Sequence, residues 1–453
     1  MAMLYRERIG RTARIIALAA CGLVGAVAAD AQTRTKFDLW QGLSGDLGER
    51  VNDVCKRFNE SQTDFEIVCT SQGSYDAAVQ NAIAAYRAKK QPTIVQVFDA
   101  GTLDLMLSGA FVPARQLMEE NGHKVDWSNY FPGISNYYAT SKGTLLSFPF
   151  NSSTAMFYWN KDAFGKIGET GAPKTWEDVE VVAKKMKAAG IECPLAIDFD
   201  TWQWMEQFHA IHNLPIATRD NGYSGLDAEL TINKTKFVDF VKYLKRAHGE
   251  GWAKIKTRAT GATLGEAFAS GDCQMSQFSI ASHGTIAKTA KPGMNWDVAM
   301  MPVYAGTERH NSLVGGASLW VLQGKSKDEY RGAAAFLAFI AKPESEEYWS
   351  TVTGYIPVTK TGFAAMQAKG FYDKPPFKGR ELAIQSLTAS EVGPLTRGVR
   401  LGGFLQIRKE VTDALEAVFS DKMTVEQGLA QAVERSNAIL RRFEKTYAGK
   451  TLP

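Results

Sequence analysis

Between residues 36 and 108 two kinds of apolar pattern alternate, and that alternation restricts the fold more than any other feature of the chain. Residues 36–40, residues 65–70 and "TIVQVF" at 93–98 are short runs of strand type, the last continuous enough to be buried on both faces. Between them, residues 45–59 carry Leu47, Val51, Val54, Cys55 and Phe58 at helical spacing. Residues 75–89 read as a second helix and residues 102–108 as a third. This βαβαβ order predicts an α/β fold with a parallel or mixed sheet and helices on both faces. Ligands of such sheets bind at the carboxyl ends of the strands. The turns there carry Trp40-Gln41-Gly42, Gly73-Ser74-Tyr75 and Asp99-Ala100-Gly101.

The rest of the chain repeats the style. Thr175, followed by Trp176-Glu177-Asp178, reads as an N-cap with an acidic first turn, opening a helix that runs to Ala189. Residues 187–191 and Cys193-Pro194-Leu195 read as a return to the sheet, residues 200–211 as an aromatic-rich helix, and residues 298–302 and 318–322 as strands. Thr424 and Gln427 have capping-box spacing at the start of a final long helix, which packs Leu429, Val433, Leu440 and Phe443 inward. The length exceeds one ordinary core and predicts two domains. No linker or repeat separates them, so the expectation is two lobes joined by several crossings.

The first residues read differently. Arg6, Arg8, Arg11 and Arg14 precede an apolar stretch at 15–28 that is short for a membrane helix, and Ala29-Asp30-Ala31 is a small-x-small site. This pattern predicts a secretory signal segment over residues 1–31. Leu18-Ala19-Ala20-Cys21 also resembles a lipoprotein box, but no polar tether follows it. Removing residues 1–31 lowers the formal charge from +4 to +2, so no basic surface for nucleic acid is implied. Cys55, Cys69, Cys193 and Cys273 remain, and four cysteines allow three pairings. Cys193 with Cys273 is the favoured pair if any forms, and buried free thiols stand beside it as the alternative. No C-x-x-C points to a zinc or redox site.

Catalytic signatures are missing: there is no G-x-S-x-G, H-E-x-x-H or phosphate-binding P-loop. His209 and His212 share a helix face without a third ligand, and nothing in the sequence pairs Asp99, Asp198 and Asp200 as acid and base. What remains is Trp40, Tyr75, Ser153, Trp202 and Tyr355 at predicted loop ends. Each alone reads as packing; together they suit a solute cleft, with aromatic planes for C–H faces and hydroxyls for polar groups. "FPFNSSTAMFYWNK" places Asn151-Ser152-Ser153-Thr154 between two apolar runs, a polar patch either awaiting a ligand or capping a turn.

That segment resembles the entry to the second lobe in extracellular solute-binding proteins of ABC sugar importers. "FDLWQGLSGDLG", "CTSQGSYDAAV", "VQVFDAGT", "LVGGASLWVLQGK", "TGYIPVTK", "GVRLGGFLQIR" and "AVERSNAILRRFEK" resemble the glycerol-phosphate-binding branch of solute-binding family 1, in order along the whole mature chain. The resemblance implies a type II, maltose-binding-protein-like fold with discontinuous lobes joined by hinge strands. The lobes are expected at 32–148 with 305–355, and at 149–304 with 356–453. It implies a periplasmic, monomeric, non-catalytic protein without metal or cofactor. Such a protein would deliver glycerol-3-phosphate or glycerophosphodiesters to permease subunits backed by ATPases. A sugar-binding relative is the alternative, and a secreted phosphodiesterase the alternative of another class. By resemblance, Tyr75, Asp99, Ser153, Ser279 and the Gly316 backbone contact the ligand, Tyr355 and Arg408 take its phosphate end, and Trp202 with Phe199 forms an aromatic wall. The family often has glutamate at the position of Asp99 and tryptophan at that of Phe199. The hydroxyls of residues 151–154 are expected to stay unpaired until the lobes close.

Overall fold

The computed structural model describes residues 34–453; the signal-segment reading of residues 1–31 and the lipidation reading of Cys21 lie outside them. Among the described residues eleven strands follow one another: β1 (Thr35–Gln41), β2 (Phe65–Ser71), β3 (Ile94–Phe98), β4 (Phe111–Val112), β5 (Phe148–Ser153), β6 (Ala155–Asn160), β7 (Leu195–Ile197), β8 (Ala253–Ile255), β9 (Met275–Ser279), β10 (Trp296–Ala299) and β11 (Gly315–Leu322). They form two sheets. The first runs β2-β1-β3-β11-β4, with β5 also paired to β11; the second runs β10-β6-β9-β7-β8. The β1–β2 and β1–β3 pairs are parallel, whereas β11 runs antiparallel to β3, β4 and β5. The two sheets, with helices packed on them, fit a two-lobed α/β architecture.

Local chemistry explains the elements that orient the site. The helix Gly45–Ser61 buries Val51, Val54, Cys55 and Phe58 against the first sheet, the stripe that its spacing predicts. Helices Trp176–Ala188 and Val425–Thr446 both open on complete capping boxes, from Thr175 with Asp178 and from Thr424 with Gln427. Residues 187–191 end a helix rather than forming a strand, and sheet pairing resumes at Leu195. The chain passes from the first sheet to the second at Thr154 alone, between β5 and β6. Disulfides join Cys55 to Cys69 and Cys193 to Cys273, so both pairs close and no free thiol remains among the described residues. Among those residues no helix is long and apolar enough to cross a membrane.

Candidate ligand cleft

A chain of buried side-chain hydrogen bonds carries the first sheet's order to the cleft. Gly42 N donates to Gln96 Oε1 (2.8 Å), Gln96 Nε2 to Asn151 Oδ1 (2.7 Å), and Asn151 Nδ2 to the Tyr75 hydroxyl (2.7 Å). The Tyr75 ring stacks on Phe98 at 5.3 Å and 4°. A Cβ at Gly42 would meet Tyr75 Cα at 2.6 Å, so only glycine lets the first turn approach this closely. The Tyr75 and Tyr355 hydroxyls lie 3.5 Å apart.

The stretch 151–154 departs from expectation. All four residues are buried, and three have partners. Asn151 sits in the relay just described, the Ser153 hydroxyl accepts from Ser279 Oγ at 2.9 Å, and Thr154 Oγ1 donates to Ser312 Oγ at 2.8 Å or to the Leu313 carbonyl at 2.9 Å. Only Ser152 Oγ lacks a partner. The patch is a satisfied polar seam at the crossing rather than a set of waiting hydroxyls, because leaving it unpaired in a dry core would cost about 1–3 kcal/mol per group.

Arg408 is the electrostatic centre. It lies on helix Phe404–Phe419, whose first turn is fixed by Gly403 in the left-handed region and by the Gly403 N–H donating to Asp104. Its Nε and Nη2 form a two-pronged pair with Glu206 Oε1 and Oε2 at 2.7 and 2.9 Å. Asp99 Oδ1 lies 2.7 Å from Nη2 but makes no aligned hydrogen bond. Nη1 has no partner among the described residues and remains available to a ligand. Burial pushes Glu206 up to about 7 despite the opposing Arg408 charge. Burial also raises Asp99, again against Arg408, and desolvation with the nearby Asp200 lifts Asp198 to about 7.

These groups open on a cleft of about 580 Å³. Tyr75, Asp99, Ser153, Trp202, Ser279, Gly316, Tyr355 and Arg408 all line it. Phe199 does not: its ring packs against Phe419 at 5.2 Å, which gives it an apolar partner away from the cleft wall. Trp202 lies over Gly315, where a Cβ would overlap the indole, and Gly316 has φ +100° with the Asn151 carbonyl against it. Asp198, Asp200, Gln203, Thr263 and Thr412 also line the cleft. Asp198 accepts from Trp204 Nε1 at 2.7 Å, and Asp200 from the Gln203 N–H at 3.0 Å.

Sequence reasoning passes over Glu206. It belongs to a single π-helical turn, Trp202–Glu206, that also carries Trp202; such turns often occur at functional sites. The available signal is an acid inside the apolar run "WQWMEQF", since a buried carboxylate needs a cation. Among the described residues no cluster of metal-binding side chains is present.

The bacterial extracellular solute-binding protein family matches residues 53–374. The sn-glycerol-3-phosphate-binding periplasmic protein UgpB of Escherichia coli K12 is 41% identical over 426 residues, covering 93% of this chain and 96% of that protein. Among solved structures, UgpB from Mycobacterium tuberculosis in complex with glycerophosphocholine superposes with a TM-score of 0.73 at 20% identity, over 90% of this chain and 99% of that one. The sugar-binding protein MalE from Xanthomonas citri does so with 0.71 at 17%, over 92% and 100%. The fold is therefore that of the maltose-binding-protein-like proteins. With two sheets facing a cleft and a matching family signature over most of its length, the chain belongs to the bacterial extracellular solute-binding proteins.

Proposed function

We propose that this protein captures glycerol-3-phosphate and glycerophosphodiesters between its lobes and delivers them to an ABC importer. Family membership makes it a binding component working with permease and ATPase subunits, not an enzyme. The observation that carries the ligand class is the free Nη1 edge of Arg408, held toward the cleft by the Glu206 fork, beside the hydroxyls of Tyr75, Ser153, Ser279 and Tyr355. A guanidinium edge suits phosphate oxygens, and hydroxyls suit glycerol. The 41% identity to proteins named for glycerol-3-phosphate supports the same reading. The protein acts in the periplasm as a monomer, after export by the segment over residues 1–31. Calorimetric titration with glycerol-3-phosphate, glycerophosphocholine and maltose tests it: binding of maltose alone would replace the reading with a sugar-binding one.

The rigid bodies that move are proposed to divide near residues 148, 304 and 355. All five strands of the second sheet fall between 149 and 304, and every strand of the first sheet except β5 falls outside that span. Two lobes around one cleft bury a small ligand by hinging. The radius of gyration from solution scattering is expected to fall on adding saturating glycerol-3-phosphate; an unchanged value would count against hinge closure.

Anion binding is expected to take up protons. Burial pushes Glu206 up to about 7 in the free protein, and a phosphate on the guanidinium that it holds raises it further. The complex then holds more protons than the free protein just above that value, so affinity tightens as pH falls from about 8 to about 7. Glycerophosphoglycerol suits the measurement, because its phosphodiester does not titrate there. Calorimetry in buffers of different ionisation enthalpy reads the uptake directly, and equal heats would exclude it.

A further inference from the structure

The cleft wall is richer in acceptors than a phosphate alone explains. Three aspartates, Asp99, Asp198 and Asp200, line it against one cation, Arg408, whose Nε and Nη2 are already held by Glu206. Asp99, 5% exposed, already shares that cation, its Oδ1 lying 2.7 Å from Nη2. Gln203, 8% exposed, has an Oε1 with no hydrogen bond. Asp198 uses Oδ1 for Trp204 and the Asp200 N–H, and its Oδ2 makes no hydrogen bond. Asp200 is near enough to Asp99, Asp198 and Glu206 to raise all three. Unsatisfied acceptors and surplus negative charge in one place call for a cation that donates hydrogen bonds.

The aromatic side chains argue against a methylated cation. A quaternary ammonium has no N–H and is held by open aromatic faces on several sides. Here each ring already has one face covered by a neighbour, which leaves fewer faces for such a cage. Tyr75 stacks on Phe98, Phe278 stacks on Tyr158 at 3.9 Å, Trp202 lies on Gly315, and Phe199 packs on Phe419. We infer that the preferred ligand is a glycerophosphodiester carrying a primary ammonium, of the glycerophosphoethanolamine type, with Asp198 and Asp200 as the residues that select its cationic end. The phosphate then meets Arg408 Nη1, and the ammonium donates to Asp198 Oδ2 and its acceptor neighbours.

This inference rests on the glycerol-phosphate reading, and one experiment separates the two. Glycerol-3-phosphate, glycerophosphocholine and glycerophosphoethanolamine are titrated at about pH 8, where Asp198 carries its charge, into the wild-type protein and into Asp198→Asn, which keeps an acceptor for Trp204 and loses the charge. The wild type is expected to bind the ethanolamine diester about tenfold more tightly than the choline diester, since hydrogen-bonded charge pairs in a partly dry cleft are worth a factor of this order. Asp198→Asn is expected to bring the ratio close to one. A wild-type ratio below about threefold, or a ratio that Asp198→Asn leaves unchanged, overturns the inference while the glycerol-phosphate reading stands. Failure of all three compounds to bind overturns that reading and the inference with it.

Discussion

Replacing Arg408 with alanine is expected to weaken glycerol-3-phosphate binding more than about 100-fold and to lower the stability of the free protein. The two effects have different origins. Affinity falls because Arg408, the one cation lining the cleft among the described residues, is lost. Stability falls because Glu206, 1% exposed, and Asp99, 5% exposed, lose their shared cation. Breaking a buried pair by removing one partner costs about 3–5 kcal/mol. The cost here falls toward the lower end near neutral pH, because burial pushes Glu206 up to about 7 and lets it take a proton there. Adding Glu206→Gln to Arg408→Ala removes one orphaned charge and is expected to recover much of the melting temperature without recovering binding. Glycerol-3-phosphate affinity within about threefold of wild type in Arg408→Ala would remove Arg408 from the site, and no recovery in the double variant would mean that packing, not charge, accounts for the instability.

The two disulfides are expected to contribute unequally. Cys193–Cys273 closes 80 residues and Cys55–Cys69 closes 14. Restricting the unfolded chain by loops of those lengths stabilises by about 4.5 and about 3 kcal/mol respectively. Cys193 and Cys273 are 2% and 0% exposed and precede β7 and β9, neighbours in the second sheet, so their loss also disturbs a packed core. Paired Cys→Ser variants in urea denaturation check the order. A larger loss from the 55–69 pair would show that native packing around each bridge, not loop length, sets its contribution.

Local signals in the sequence read through to the fold. The helical spacing of residues 45–59, the caps at Thr175 and Thr424 and the buried run before Asp99 each depend on near neighbours, and each forms the expected element. The helix Thr102–Ser108 begins and ends where its pattern does. What the sequence withholds depends on distant partners. The seam at 151–154 is satisfied by Gln96, Ser279 and Ser312, which are 55, 126 and 158 residues away from their partners. The Glu206–Arg408 fork, 202 residues apart, is equally nonlocal, whereas the Cys193–Cys273 bridge is the pair that the sequence favours. Phe199 looks like a wall of the cleft only until Phe419 is placed beside it.

The position of Trp202 has a spectroscopic consequence. Its indole rests on Gly315, the first residue of β11 in the first sheet, while its own turn hangs its Gln203 carbonyl on Gln277 of β9 in the second. Any rotation that parts the two sheets uncovers the indole, whose Nε1 is buried without a partner. Emission from this one ring therefore reports the opening angle of the molecule. The chain has ten tryptophans, and the difference spectrum against Trp202→Phe isolates the signal from the other nine, giving an optical readout of domain motion with no attached dye.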